Sequence, residues 1–325
     1  MNRYEVPNMP DQSVPRRAFL TAAVGVTGAA LTPSFPLSKL WRGGQGVRPE
    51  PLRLGVASYS LRNFSRDKAI EMVKALGTPY INLKSVHLPY ELSPEELATA
   101  RREIEGAGLH IVGGGVITFE EDTDEGVGKY FAYAKAAGMP LIAAHADAQT
   151  LPRIERFAKQ YDIKVAIHNH GPEDTRFPSP YDALKHVRNM DRRMGLCIDI
   201  GHTVRAGTDV VRVIADAGPR VLDMHAKDLR DPKTAASQCI VGEGVIPIAA
   251  IFQQLETIGY RGYVNLEYEI DADDPLPGMR QSLAYMRGAL AGLDADDPLP
   301  GMRQSLAYMR GALAGLDAAR LSPHS

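Results

Sequence analysis

Six of the nine histidines stand at or just behind short apolar runs, each with a carboxylate, amide or lysine close by. The runs end in Lys84 and His87, in His145 and Asp147, in His168-Asn169-His170, in Asp199 and His202, and in His225, Lys227 and Asp228. A further run ends in Glu267 and Glu269. A single ionisable side chain at a strand end is easily a satisfied core residue, but clustering at the ends of five neighbouring runs is not explained that way. Imidazoles mixed with Asp and Glu are the ligand set of a divalent metal that keeps open positions. Side-chain alternation puts His168 and His170 on one face of their strand and Asn169 on the other. His225 and Lys227 share a face, as do Glu267 and Glu269, and alternation alone leaves open which member of each pair points at a metal.

The elements that must carry these residues repeat at an interval of roughly thirty residues. The apolar runs are LRLGVASYSL, YINLKSV, HIVGGGVI, LIAAHA, KVAIHNH, MGLCIDIGH, VLDMHAKD and GYVNLEYE. Between them lie helix-period segments such as SPEELATARREIEGAG and TDVVRVIADAG, several of which open on Ser, Thr or Asp and close on Gly, as helix caps require. Eight strand–helix units predict an α/β fold of the (β/α)8 TIM-barrel type, whose chemistry lies at the C-terminal strand ends. An open doubly wound sheet fits less well, because no Gly-rich dinucleotide loop follows the first strand.

One barrel does not use all 325 residues. Arg16-Arg17 precede a short apolar stretch rich in Ala, Gly and Thr, the pattern of a twin-arginine export signal, and the stretch is weak as a membrane span. Residues 1–50 therefore read as signal and linker, 51–293 as the barrel, and 294–325 as a surplus segment and tail. Export predicts a periplasmic protein, or one anchored to the membrane and facing the periplasm. Asp271–Leu293 recurs unchanged as Asp294–Leu316. The first copy is expected to supply the closing helix, while the second either packs outside the barrel or competes for the same place. With 37 basic and 39 acidic residues, nothing draws the chain to nucleic acid or an anionic membrane. Cys197 and Cys239 make no disulfide framework, and Cys197 reads as a small core residue.

HNHGPED, CIDIGHTVRAG, MHAKDLR and VNLEYE, in that order, resemble the sugar phosphate isomerase/epimerase family with a xylose isomerase-like barrel. The likeness spans roughly Leu52 to Leu293. It implies one divalent ion, Mn, Mg, Zn or Co, held by Glu, Asp, His and Glu from strands five to eight. Asp199, His225 and Glu267 match the last three positions, and the first Glu is replaced within HNH, where His168 aligns best and His170 is the fallback. A neutral ligand in place of a carboxylate leaves the metal more positive and a stronger Lewis acid. The family's epimerases use the first and last Glu as an acid/base pair, so this exchange weakens the case for simple epimerisation.

The resemblance implies proton removal next to a carbonyl of a carbohydrate, with isomerase or epimerase chemistry first and hydration or elimination on keto-glycosides or inososes as the alternative. Glu267 or His170 is then the expected base and Lys84 the acid or oxyanion partner. His202, Lys227, His145, His87 and Glu173 are the expected substrate contacts, with Glu173 also able to restore a carboxylate from its loop. Gly242 and Gly244 suit a tight substrate-side loop, a weak signal for phosphate. Two other readings stand beside this one. A barrel endonuclease for abasic DNA needs more metal ligands and a basic groove, which the neutral charge opposes. A sugar-binding barrel without catalysis has only the replaced Glu in its support.

Overall fold

The computed structural model describes residues 52–293. The Arg16-Arg17 pattern and the second copy at Asp294–Leu316 lie outside the described residues. The strands are β1 Arg53–Ala57, β2 Tyr80–Leu83, β3 His110–Phe119, β4 Leu141–Ala146, β5 Lys164–His168, β6 Met194–Asp199, β7 Val221–Ala226, β8 Asp228–Leu229, β9 Gln238–Cys239 and β10 Tyr263–Leu266. Eight close into a parallel barrel in the order β1-β10-β7-β6-β5-β4-β3-β2, while β8 and β9 pair antiparallel beside the mouth.

The outer layer is α1 Arg66–Ala75, α2 Pro94–Gly106, α3 Asp124–Ala136, α4 Leu151–Tyr161, α5 Pro180–Val187, α6 Ile200–Arg205, α7 Val210–Ala217, α8 Ile248–Thr257 and α9 Leu276–Leu293. Several of their starts are those the sequence marks. Ser93 and Glu96 form a reciprocal capping box on α2, with Pro94 in its first turn, and the Thr123 and Asp209 side chains cap α3 and α7. Helix α9, from the first copy of the repeat, buries Met279, Leu283 and Met286 against the core and closes the ring. The short α6, directly after β6, is an addition that the helical periodicity did not signal.

Inside the barrel, alternation produces layers. Leu141, Ala143, Ala166 and Cys197 form a small apolar floor separate from the main core. Beside Cys197 the Asp223 carboxylate accepts from Asn82 Nδ2 at 3.2 Å and Asn265 Nδ2 at 2.9 Å, tying β7 to β2 and β10. Cys197 thus belongs to the barrel interior rather than to the strand–helix core, with its Sγ 3.8 Å from Asp223 Oδ2. Two residues further along the strands come His168, Asp199, His225 and Glu267.

Candidate metal centre and active site

Strand register brings the four together. Asp199 on β6 is paired with His225 on β7, and Asn265 on β10 lies beside His225, so Glu267 emerges one pleat above. All four are buried, and one donor atom from each lies within 4.8 Å of the others. His168 Nε2 is 3.2 Å from His225 Nδ1 and 3.7 Å from Asp199 Oδ2, and Glu267 Oε2 is 3.3 Å from His225 Nδ1.

Asp199 is both an N-cap and a site residue. Its Oδ1 accepts from the His202 backbone N–H at 2.8 Å and starts α6, which leaves Oδ2 facing the cluster. Asn169 fixes it from the side: Asn169 Oδ1 accepts from Asp199 N at 3.0 Å, and its Nδ2 donates to the Asp199 carbonyl and to Thr203 Oγ1. The outward member of HNH therefore anchors the neighbouring strand.

The residues fit a divalent cation. His168 Nε2 and His225 Nδ1 face each other across the cluster at 3.2 Å, and the buried Asp199 Oδ2 lies between His168 Nε2 and Lys227 Nζ. Two imidazoles and two carboxylates converging on one point suit Mn, Zn or Co better than Mg, which prefers an oxygen shell. Burial pushes the His168 imidazole down to about 3, so at neutral pH it is unprotonated, the form that a metal would require. Burial opposes charge on Asp199 and Glu267 as well, but the Lys227 ammonium outweighs it and holds both carboxyls well below their usual range. Burial likewise opposes a proton on His225, yet Cys197 and Glu267 raise it well above the usual imidazole value.

Lys227 is no rim contact. It is buried, its Nζ lies 3.0 Å from both Asp199 Oδ2 and Glu267 Oε2, and it also pairs with Glu269. Its ammonium is committed to carboxylates, while its side chain also lines the cavity at the mouth where the sequence expected a substrate contact. Asp228 is buried as well: its carboxylate accepts from the backbone N–H groups of Leu229, Gly242, Gly244 and Ile246. Gly242 and Gly244 therefore wrap a carboxylate of the chain itself.

Other expected contacts are also committed. His87 has both ring nitrogens bonded, to Ser58 Oγ at 3.0 Å and the Leu61 carbonyl at 3.2 Å, and is a buried brace behind β1. His145 is held between Asp174 at 3.0 Å and Arg176 at 3.0 Å, in a second, half-buried group with His170 and Asp174. Glu173 pairs with Arg205 and adds no carboxylate to the cluster.

His170, His202 and Lys84 remain available. Neither ring nitrogen of His170 has a hydrogen-bond partner among the described residues, and its ring centroid is 4.7 Å from that of His168. Burial brings its pKa down to about 4, so it is a neutral imidazole at the mouth. His202 accepts from Arg205 on Nδ1 and stands 5.3 Å from His170, ring to ring. Lys84 donates to the Val116 carbonyl at 3.2 Å, where the register of β3 is irregular, and burial lowers its pKa against the pull of Glu267 and Glu269. Beside them a cavity of about 220 Å³ is lined by His202, Arg205, Lys227, Gln238, Glu269 and Ile270. Arg205 and Gln238 were missed in the sequence, since neither lies at a strand end.

The family profile described as the xylose isomerase-like TIM barrel matches residues 65–289. The chain belongs to that family. Among curated relatives, the rhizopine catabolism protein MocC of Rhizobium meliloti is 26% identical over 138 residues, covering 38% of this chain and 42% of its own. Inosose dehydratase of Clostridium beijerinckii is 24% identical over 202 residues, 56% of this chain and 65% of its own. These matches span less than two thirds of each relative. A solved structure from Parabacteroides distasonis shares 27% identity at a TM-score of 0.57, over 71% of this chain and 96% of its own. D-psicose 3-epimerase from Clostridium cellulolyticum H10 shares the fold at 15% identity and a TM-score of 0.61, over 74% and 99%.

Proposed function

We propose that the chain is a divalent-metal-dependent enzyme that removes a proton next to a carbonyl of a carbohydrate. The observation that carries this reading is the buried His168, Asp199, His225 and Glu267 set, one donor atom of each lying within 4.8 Å of the others. When bound there, the ion supplies a Lewis acid that polarises a carbonyl or hydroxyl oxygen. His170 is the better base of the two expected, because Glu267 is tied to His225 and Lys227 while His170 is neutral and has no partner. Lys84 faces the negative charge that develops on oxygen, and His202 offers its free Nε2 to a sugar hydroxyl. The Arg16-Arg17 pattern supports export of the folded protein.

Isomerisation or epimerisation is one outcome of that proton transfer, and loss of water from the neighbouring carbon is the other. Elimination is favoured by one observation: the acid/base carboxylate of a two-Glu epimerase is here His168, buried and turned to the cluster. The inosose dehydratase relatives support the same outcome. Elemental analysis of protein purified without chelator tests the proposal, followed by assays on ketoses, keto-glycosides and inososes. About one equivalent of metal is expected in the wild type, and little in Asp199→Ala or His168→Ala. Folded wild-type protein that takes up no metal from an excess would end this reading.

A further inference from the structure

We propose that the mouth is matched to an uncharged, unphosphorylated sugar, and that the chain's own acceptor groups, Asp228 first among them, occupy the places where a phosphate ester would bind. The inference rests on the carbohydrate reading above and names its substrate class.

TIM barrels that take phosphorylated substrates frequently hold the phosphate on backbone N–H groups of the loops after the seventh and eighth barrel strands, together with the start of a short helix. Here both loops are filled. After β7, four N–H groups converge on an anion, and the anion is Asp228: Leu229 N at 2.9 Å, Gly242 N at 2.9 Å, Gly244 N at 3.1 Å and Ile246 N at 3.1 Å. A Cβ on Gly244 would stand 2.2 Å from Asp228 Oδ1, so the glycine is needed for this internal carboxylate to seat.

After β10, the next three N–H groups are also spent. Glu267 N donates to the Ala226 carbonyl at 2.9 Å, Tyr268 N to Ser60 Oγ at 2.9 Å, and Glu269 N to Gln238 Oε1 at 2.9 Å. The approach to α9 carries Asp271, Asp273 and Asp274, which repel a dianion.

Three cations near the mouth are paired with carboxylates. Arg205 is paired with Glu173, Arg176 with Asp147 at 2.8 Å, and Lys227 with three carboxylates. Lys84 donates to the Val116 carbonyl at 3.2 Å. The groups left for substrate are the imidazoles of His170 and His202, side chains that can hydrogen-bond to hydroxyls.

The test has two arms. In the first, the full chain is stripped with chelator, so that phosphate has no metal to bind, and unfolded by heat in inorganic phosphate or in chloride of equal ionic strength. A ligand at roughly ten times its Kd would raise the Tm by about 3 °C. Wild type is expected to show no phosphate-specific rise, whereas Asp228→Ala should gain stability from added formate, which restores the lost carboxylate. A phosphate-specific rise in wild type overturns the inference, and this holds whether or not the variant folds. In the second arm the metal-supplied chain is given D-fructose and D-fructose 6-phosphate, and the same pairing across other ketoses. At least a tenfold higher kcat/KM for the neutral member supports the inference. Preference for the phosphate ester overturns it and leaves the carbohydrate reading standing. Turnover of no sugar with metal bound ends the carbohydrate reading instead, and the first arm still decides whether phosphate is excluded.

Discussion

Lys227 Nζ lies 3.0 Å from Asp199 Oδ2, inside the same buried cluster whose donors suit a metal. The lysine neutralises carboxylates that would otherwise repel one another in a dry barrel. Removing one partner of a buried ion pair leaves an uncompensated charge and costs about 3–5 kcal/mol. Lys227→Met should lose stability of that order in chelator. Because a divalent ion supplies the missing positive charge, added Mn2+ should recover more stability in the variant than in wild type. Thermal unfolding with and without metal measures both quantities, and an equal loss in the two conditions would show that Lys227 acts through packing alone.

His170→Gln keeps the size and polarity of the side chain but cannot take a proton. With His168 in the cluster and His170 outside it, the variant should hold as much metal as wild type while kcat falls about 10²–10⁴-fold. Elemental analysis beside a turnover assay separates the roles. Loss of metal would move His170 among the ligands, and unchanged turnover would remove it as the base.

The barrel and its cluster could be read in the sequence because both rest on short-range patterns. Strand, cap and helix recur every thirty residues or so, and period-two alternation points every second side chain of β5, β6, β7 and β10 inward. What stayed hidden depends on partners far along the chain. His87 is sequestered by Ser58, 29 residues away, and His145 by Asp174, also 29 residues away. Lys227 meets Glu267 across 40 residues. A histidine with both nitrogens taken and one with both free look alike in sequence. Nor could the Gly242 and Gly244 loop show that its N–H groups close on Asp228.

Asp174 clamps the loop after β5, accepting from Arg176 N at 2.9 Å, Phe177 N at 3.2 Å and His145 at 3.0 Å. Burial opposes its charge, but these hydrogen bonds prevail and its pKa falls below the ordinary 3.8. The unfolded chain therefore binds the proton first, so the stabilisation is present above about 3.8 and is lost as pH falls through the folded value. Asp174→Asn should be less stable than wild type by about 1–3 kcal/mol at pH 7. That gap should narrow steadily below pH 4, as followed by denaturant unfolding across pH. A gap that stays constant in acid would mean the carboxylate charge is not what holds the loop.

Helix α9 comes from the first copy of the C-terminal repeat and already supplies Met279, Leu283 and Met286 to the core, with contacts to α8, β1 and β10. Its place in the ring is filled before Asp294 is reached. Deleting Asp294–Leu316 should therefore change the Tm by less than about 2 °C, the scale of a surface change of half a kcal/mol. It should also leave metal content unaltered. Substituting Leu283 with Ala, in contrast, opens a cavity in a packed core and should cost about 2–5 kcal/mol. The comparison assigns the closing helix: a deletion as damaging as Leu283→Ala would mean that the second copy contributes to the barrel's stability, because removing it leaves every buried contact of α9 in place.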